Sequence, residues 1–376
     1  MPNLIYVVST LSPSGPTNQL ICLIKKLDRK KFSIFVITLS RFADQSLVSE
    51  LNKFDITVLQ LNLSRLGGLF FGRRYLSKII SKQGPVLLHT QGFRPDLIAS
   101  GLNFKGKKIS TIHNYPQLDY VMTYGVVVGW LLYKIHIAIM GKFDLLIGCS
   151  KSVAENLSNK FNLANVTYIQ NGIDCDKFNP VRNNKNFTRF RAEIGLDSYS
   201  RVWIVLGHLT ERKDPIFLIN AWISFMSESH DDHLVFVGDG RLKATCEEIS
   251  SKVKNIHFLG SVNNPSEYLK ISDFYVSASL SEGLPLSALE AMATGLPILM
   301  SDISPHKEIF SSNLIENFGF LFKLNDENDF YLKLCKLLKS DYEVLSSASR
   351  NAILENFSAD KMALSYSELY YRILYV

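Results

Sequence analysis

Ser281-Glu282-Gly283-Leu284-Pro285-Leu286-Ser287-Ala288-Leu289-Glu290-Ala291-Met292-Ala293-Thr294-Gly295-Leu296-Pro297 sets two glutamates, Glu282 and Glu290, into one short stretch. Pro285 suits the first position of a helix, where its missing N–H costs nothing, and Gly295 followed by Pro297 supplies a stop. The spacing therefore predicts a short helix between them, with Glu282 in the loop ahead of it. Glu290 falls about a turn and a half inside, among Ala288, Leu289, Ala291, Met292 and Ala293, where a lone carboxylate is costly unless something hydrogen-bonds it. One reading is a buried helix whose Glu290 pairs with a distant Arg or Lys. The other is a ligand: hydroxyl groups satisfy the carboxylates, and a phosphate takes the free N–H groups of the helix start, which carry roughly half a positive charge.

Length and composition frame that choice. A chain of 376 residues exceeds the size at which single cores stop growing, so about two domains are expected, and 47% apolar residues can fill both. Cys22, Cys149, Cys175, Cys246 and Cys335 are scattered without paired or metal-ligand spacing, which points to a reducing compartment with no zinc site and no disulfide scaffold. Met1–Thr10 lacks a basic n-region and a cleavage site and reads as a first strand. Residues 1–180 hold 21 Lys+Arg against 10 Asp+Glu, a net of +11 against −5 for the rest. A basic first half fits an anionic surface or a phosphate-bearing acceptor. Nucleic acid is disfavoured, because no DNA- or RNA-binding motif or aromatic platform accompanies the basic residues.

Apolar runs alternate with helical patterns throughout. The strands read as Leu4–Val8, Ser33–Leu39, Val86–Leu88, Lys108–Ile112, Leu145–Ile147 and Val166–Ile169, then Val202–Leu206, Leu234–Val237, Ile256–Leu259, Phe274–Ala278 and Ile298–Met300. This alternation argues α/β domains with parallel sheets. The turn signal Asn171-Gly172-Ile173-Asp174 and the polar run from Pro180 to Asn186 place the boundary, giving domains 1–178 and 179–357 and a last helical segment, 358–376. Ligands of such sheets bind beyond the carboxyl ends of the strands, so two domains facing each other would make one central cleft.

The glutamate stretch resembles the E-x7-E signature of retaining glycosyltransferases with the two-domain GT-B fold, most closely glycosyltransferase family 4. Gly207-His208-Leu209-Thr210-Glu211-Arg212-Lys213-Asp214, after the strand Val202–Leu206, is similar to the family's Gly-Arg-Leu…Lys-Gly segment, in which the Arg and Lys hold the donor's diphosphate. Lys213 matches. His208 stands where the family has Arg, and an imidazole does not replace a bidentate, permanently charged guanidinium, so Arg212 is the candidate to supply that charge. Val235-Phe236-Val237-Gly238-Asp239-Gly240 resembles the nucleotide-side loop. It is no dinucleotide fingerprint, since the third glycine would fall at Lys243, so a nicotinamide dehydrogenase is unsupported. Asn255–Val262 matches the strand whose following backbone reads the base, which makes Val262 a donor-binding candidate. In the first half only Gly15 of Ser12-Pro13-Ser14-Gly15-Pro16-Thr17 keeps the family's glycine-rich loop. His113 falls where relatives place a histidine on the donor sugar, and His89 is a weaker candidate at another strand end.

The resemblance implies two Rossmann-like parallel-sheet domains, an acceptor-side one first and a donor-binding one second, with the final helix crossing back to the first. It implies a hexosyltransferase that uses a nucleotide-diphosphate sugar without metal or other cofactor. The first glutamate, Glu282, would contact sugar hydroxyls; the second, Glu290, the ribose; backbone amides after Glu282, those of Gly283 and Leu284 among them, would face the diphosphate, with Pro285 lining the donor site beside them. Catalytic candidates are thus Lys213, Arg212, Glu282 and His113, and donor-binding ones Gly15, His208, Gly238, Val262, Gly283, Leu284, Pro285 and Glu290. The expected acceptor is a saccharide or lipid-linked oligosaccharide of surface polysaccharide or lipopolysaccharide assembly, at the cytoplasmic face of the membrane. A nucleotide-sugar 2-epimerase and a non-catalytic nucleotide-sugar-binding scaffold are the alternatives.

Two segments bear on peripheral membrane contact. Val121–Met140 has transmembrane length but is interrupted by Lys134 and His136, so it reads as a buried or surface-docked helix. Leu66–Lys82 puts Leu69, Leu76, Ile79 and Ile80 on one side and Arg73, Arg74, Lys78 and Lys82 largely on the other, the pattern of a helix docked on its sheet or on anionic lipid.

Overall fold

The computed structural model describes the chain apart from residues 42–45, 83–85, 181–188, 190, 193–194, 198, 227–230, 312–316 and 376, and the side chains at 65 and 66. The polar run after Pro180 used to place the boundary lies outside the described residues. Contacts divide the chain into one unit made of Met1–Gly172 with Ala359–Val376, and a second made of Ile173–Ser358.

The first unit is a seven-stranded sheet of β1 (Asn3–Val8), β2 (Ser33–Thr38), β3 (Thr57–Gln60), β4 (Val86–Gln91), β5 (Gly106–Ile112), β6 (Leu145–Gly148) and β7 (Val166–Tyr168), in the order β3-β2-β1-β4-β5-β6-β7. Every pairing is parallel. Central strands such as Val86–Gln91 are buried residue after residue, as a sheet covered on both faces requires. The helix Ala359–Tyr375 joins this core through Met362, Ala363, Tyr366, Leu369 and Tyr370, which recur at helical spacing and are all buried. It is also tied by hydrogen bonds: Tyr370 Oη lies 2.9 Å from Tyr6 Oη and 2.8 Å from His89 Nδ1, while His89 Nε2 lies 2.7 Å from Thr111 Oγ1. Burial pushes His89 down to about 3, so it is a neutral, satisfied core residue and no longer a site candidate.

Two expectations for this unit need correction. The run Val121–Met140 is two helices, Pro116–Tyr124 and Val126–Met140, broken at Gly125, whose φ of 79° suits glycine. They fold into a hairpin in which a Cβ at Gly129 would lie 2.4 Å from the Tyr120 carbonyl oxygen. Among the described residues no helix is long and apolar enough to cross a membrane. The second correction concerns the helix Arg65–Ile80, whose inner stripe is Gly68, Gly72, Leu76 and Ile80. The glycines admit close approach of the helix Phe93–Ser100: a Cβ at Gly72 would lie 2.7 Å from Ile98 Cδ1. That rotates Leu69 outward, half exposed, and leaves Phe70, Phe71 and Tyr75 exposed beside Arg74 and Lys78.

The second unit is a six-stranded sheet of β8 (Arg201–Leu206), β9 (Asp232–Val237), β10 (Ile256–Phe258), β11 (Phe274–Ser277), β12 (Ile298–Ser301) and β13 (Gly319–Phe322), in the order β10-β9-β8-β11-β12-β13. All its pairings are parallel. Its core is aromatic: Trp203 stacks on Phe274 with ring centroids 4.3 Å apart and meets Trp222 edge-on. Each sheet is therefore a Rossmann-like, doubly wound layer. The strand order reverses between β1 and β4 in the first and between β8 and β11 in the second, and beyond the carboxyl ends of such a pair ligands bind.

Candidate active site

Four loops at the carboxyl ends of β8, β9, β10 and β11 are joined by backbone hydrogen bonds. Leu209 N–H reaches the Asp239 carbonyl at 3.1 Å, Gly238 N–H the Gly260 carbonyl at 2.8 Å, and Leu280 N–H the Arg212 carbonyl at 2.8 Å. Gly238 makes this approach possible: its φ is 143°, and a Cβ would lie 2.0 Å from the Gly207 carbonyl oxygen. The topology thus gathers His208, Arg212, Lys213, Gly238, Val262, Glu282, Gly283, Leu284, Pro285 and Glu290 at one edge of one sheet, around its switch point.

Glu282 is the centre of charge there. Arg212 Nη1 donates to its Oε2 at 2.6 Å, Lys213 Nζ pairs with Oε1 at 2.6 Å, and Ser279 Oγ donates to Oε1 at 2.8 Å. Arg212 Nη1 also holds the Ser281 carbonyl at 3.0 Å. Burial alone would raise the Glu282 carboxyl, but the Lys213 and Arg212 charges outweigh it and hold the group at about 2. The carboxylate is thus ionised and serves as the anion for both cations. Behind it, Ser301 Oγ donates to the Ser279 carbonyl at 2.7 Å, and His306 Nδ1 lies 2.7 Å from the Ser301 carbonyl, so a fully buried layer fixes the loop that carries Glu282.

The helix after Glu282 runs Leu286–Ala293, one residue later than expected. Pro285 is its cap residue, with φ −72° and ψ 104°, and not its first helical residue. Tyr275 Oη, 2.9 Å from Ser287 Oγ, pins the first turn, and Arg350 Nη1 donates to the Ala293 carbonyl at 2.6 Å at the other end. The same guanidinium holds the Phe178 and Cys175 carbonyls at 2.8 and 3.1 Å, fixing the segment that bears Lys177. Glu290 has no hydrogen-bonding or ion-paired partner among the described residues. Burial pushes its carboxyl up to about 7, against the pull of Lys177 and Lys213, so near neutrality it is poised between acid and carboxylate.

The other candidates divide by unit. His208 is exposed, and its Nδ1 lies 3.2 Å from the Asp239 carbonyl, an Nδ1–H bond that turns the ring toward the β9 loop. Val262 is half-buried just beyond Gly260. In the first unit Gly15 opens the helix Gly15–Lys26, exposed, with Ser14 Oγ capping it by accepting the Thr17 N–H at 3.3 Å. His113 follows β5; its Nε2 is buried with no partner among the described residues, and burial pushes the ring down to about 4. The sequence did not single out Ser279, His306, Arg350 or Lys177. Only Ser279 left a signal, the polar run Ser277-Ala278-Ser279-Leu280-Ser281 immediately after an apolar strand.

Comparison with known proteins adds to this geometry. The family model for glycosyl transferases group 1 matches residues 186–355, and that for Glycosyltransferase Family 4 matches residues 13–177. An Escherichia coli UDP-Gal:alpha-D-GlcNAc-diphosphoundecaprenol alpha-1,3-galactosyltransferase is 32% identical over 54% of this chain, and the chain spans about half, 54%, of that enzyme's length. The Escherichia coli O-antigen biosynthesis glycosyltransferase WclY is 25% identical over 97% of both chains. Among solved structures, Anabaena Alr3699/HepE in complex with UDP and glucose superposes with a TM-score of 0.81 at 14% identity, covering 98% of this chain and 99% of that one. The sheet topology and the solved structures show the GT-B fold, and the two family models, each spanning a little under half of the chain, support a glycosyltransferase.

Proposed function

We propose that this protein transfers a hexose-type sugar, with retention of anomeric configuration and without a metal ion, from a nucleotide-diphosphate sugar to a saccharide or lipid-linked saccharide acceptor. The observation that carries the reading is Glu282 clamped by Arg212 and Lys213 at the switch point, just ahead of the short helix that bears an unpaired Glu290. A diphosphate is the ligand that suits two adjacent cations beside a helix N-terminus, and ribose hydroxyls suit a carboxylate with no partner. In the transfer, the bond from the sugar's anomeric carbon to the phosphate oxygen breaks, its electron pair leaving with the nucleoside diphosphate. The acceptor oxygen forms its bond on the same face, and its proton passes to the leaving phosphate oxygen. Lys213 and Arg212 stabilise the charge that grows on that oxygen, and with the diphosphate drawing on them, Glu282 becomes available to the sugar hydroxyls. His113, at the carboxyl end of β5 in the first unit, is kept a neutral imidazole by its burial.

The acceptor class rests on the relatives. One is named for acting on a diphosphoundecaprenol-linked sugar and another for O-antigen biosynthesis, so surface polysaccharide assembly is the setting proposed. Incubation with UDP-, GDP- and ADP-sugars and lipid-linked saccharides tests the reading, with nucleotide release and product followed by NMR. The expected result is release that depends on acceptor, with the donor's α configuration kept in the product. An inverted product would refute retention, and sugar epimerised without transfer would refute the transferase reading.

A further inference from the structure

The hairpin of Pro116–Tyr124 and Val126–Met140 ends in a tip that water does not favour. Tyr124, Val126, Val127, Val128, Trp130 and Leu131 are each more than half exposed, Val126 and Val127 by 74 and 80%. This is no loosely held end. Within the hairpin His136 Nε2 meets Asp96 Oδ2 at 2.8 Å and its Nδ1 meets Tyr120 Oη at 2.7 Å, fastening the two helices to the core. A rigid, contiguous apolar patch of this kind marks an interaction surface.

Its chemistry names the partner. Lys134 Nζ sits 5.8 Å from the centre of the Trp130 ring and 5.7 Å from that of Tyr133, an ammonium bordering an aromatic and aliphatic tip. The hairpin's second helix packs on the helix Phe93–Ser100, and so does the helix Arg65–Ile80, which exposes Phe70, Phe71 and Tyr75 with Arg73, Arg74 and Lys78. Residues 67–82 contain no acidic residue, and residues 116–142 contain only Asp119. Apolar and aromatic groups bordered by cations match a leaflet with anionic headgroups. A second copy of the chain would set like charges against one another.

We infer that the hairpin tip inserts into an anionic lipid bilayer, Val126, Val127, Trp130 and Leu131 entering the acyl boundary while Lys134 and the basic residues of the helix Arg65–Ile80 meet headgroups. The inference stands apart from the reading of the second unit's site, since insertion requires no transfer chemistry. Trp130 is its built-in reporter: of the three tryptophans, Trp203 and Trp222 are fully buried in the second unit. With the full chain and vesicles of phosphatidylcholine with or without phosphatidylglycerol, the expected result is a blue shift of tryptophan emission and quenching by lipids brominated on the acyl chain. Both should occur with phosphatidylglycerol, weaken in high salt, and vanish in Trp130→Phe. Val126→Asp with Val127→Asp should cut vesicle co-sedimentation by roughly tenfold or more, since it replaces the two most exposed apolar side chains of the tip by charges that acyl chains exclude. Absence of blue shift and quenching in the native chain, which needs no variant to fold, would overturn the proposal. So would co-sedimentation indifferent to the aspartates, or a lipid-free dimer that they dissociate.

Discussion

Replacing Lys213 by alanine is expected to lower kcat by roughly a hundredfold or more, because losing one preorganised donor to a developing oxyanion commonly costs about 3 kcal/mol. The structure sharpens the expectation. Lys213 Nζ and Arg212 Nη1 bind different oxygens of one carboxylate, so neither is a solvated turn residue. A Lys213 that only neutralised Glu282 would, when removed, change stability and leave turnover nearly intact. Steady-state rates at saturating donor, together with a thermal melt, separate the two. A loss of less than about fivefold in kcat, against the value expected for such a donor, would contradict the assignment.

Replacing Asp96 by alanine is expected to destabilise the first unit by about 3 kcal/mol or more, because three buried partners each lose a hydrogen bond. Asp96 is fully buried; its Oδ2 meets His136, and its Oδ1 accepts from Ser110 Oγ at 2.8 Å and from Thr90 Oγ1. Those partners sit on β4, β5 and the hairpin, so the loss should be felt in the sheet and in the docking of the hairpin alike. Urea unfolding followed by hydrogen exchange checks it: amides of Val126–Met140 should lose protection first. A change below about 1 kcal/mol, the scale of a surface pair, would show that the pair does not anchor the hairpin.

The sequence made the central strands legible because they are continuous apolar runs, buried on both faces. It missed β3 and β13, two of the four strands at sheet edges: Thr57–Gln60 has no buried residue and Gly319–Phe322 is buried only at its two ends, so neither is the continuously buried run of a central strand. The break at Gly125 hid inside a hydrophobic stretch whose composition suited one helix as well as two. On the helix Arg65–Ile80 the apolar side chains did not mark the buried face, because Gly68 and Gly72 do, by letting a neighbouring helix close in. At the candidate site the spacing of Glu282 and Glu290 and the Arg212-Lys213 pair could be read locally. That these cations bind Glu282, and that Ser279, His306 and Arg350 hold its surroundings, depends on loops far apart in sequence, and no local pattern encodes it.

Glu290 gives the most direct test of the claim that the second unit binds the nucleotide of an activated sugar. Titration calorimetry of the full chain with UDP, GDP and ADP should find one that binds, with affinity rising as the Glu290 carboxyl ionises through about 7. Ribose hydroxyls donate more strongly to the carboxylate than to the acid, so from pH 6 to pH 8 the gain should be several-fold, with about tenfold as its ceiling. Glu290→Gln should abolish that pH dependence and cost about 1 to 2 kcal/mol at pH 8. Glu282→Gln should leave nucleotide affinity unchanged or raise it, since it frees Arg212 and Lys213 for the diphosphate, and its cost should appear only with the intact nucleotide-sugar. No binding of any of the three nucleotides, or equal losses in the two variants, would contradict the account.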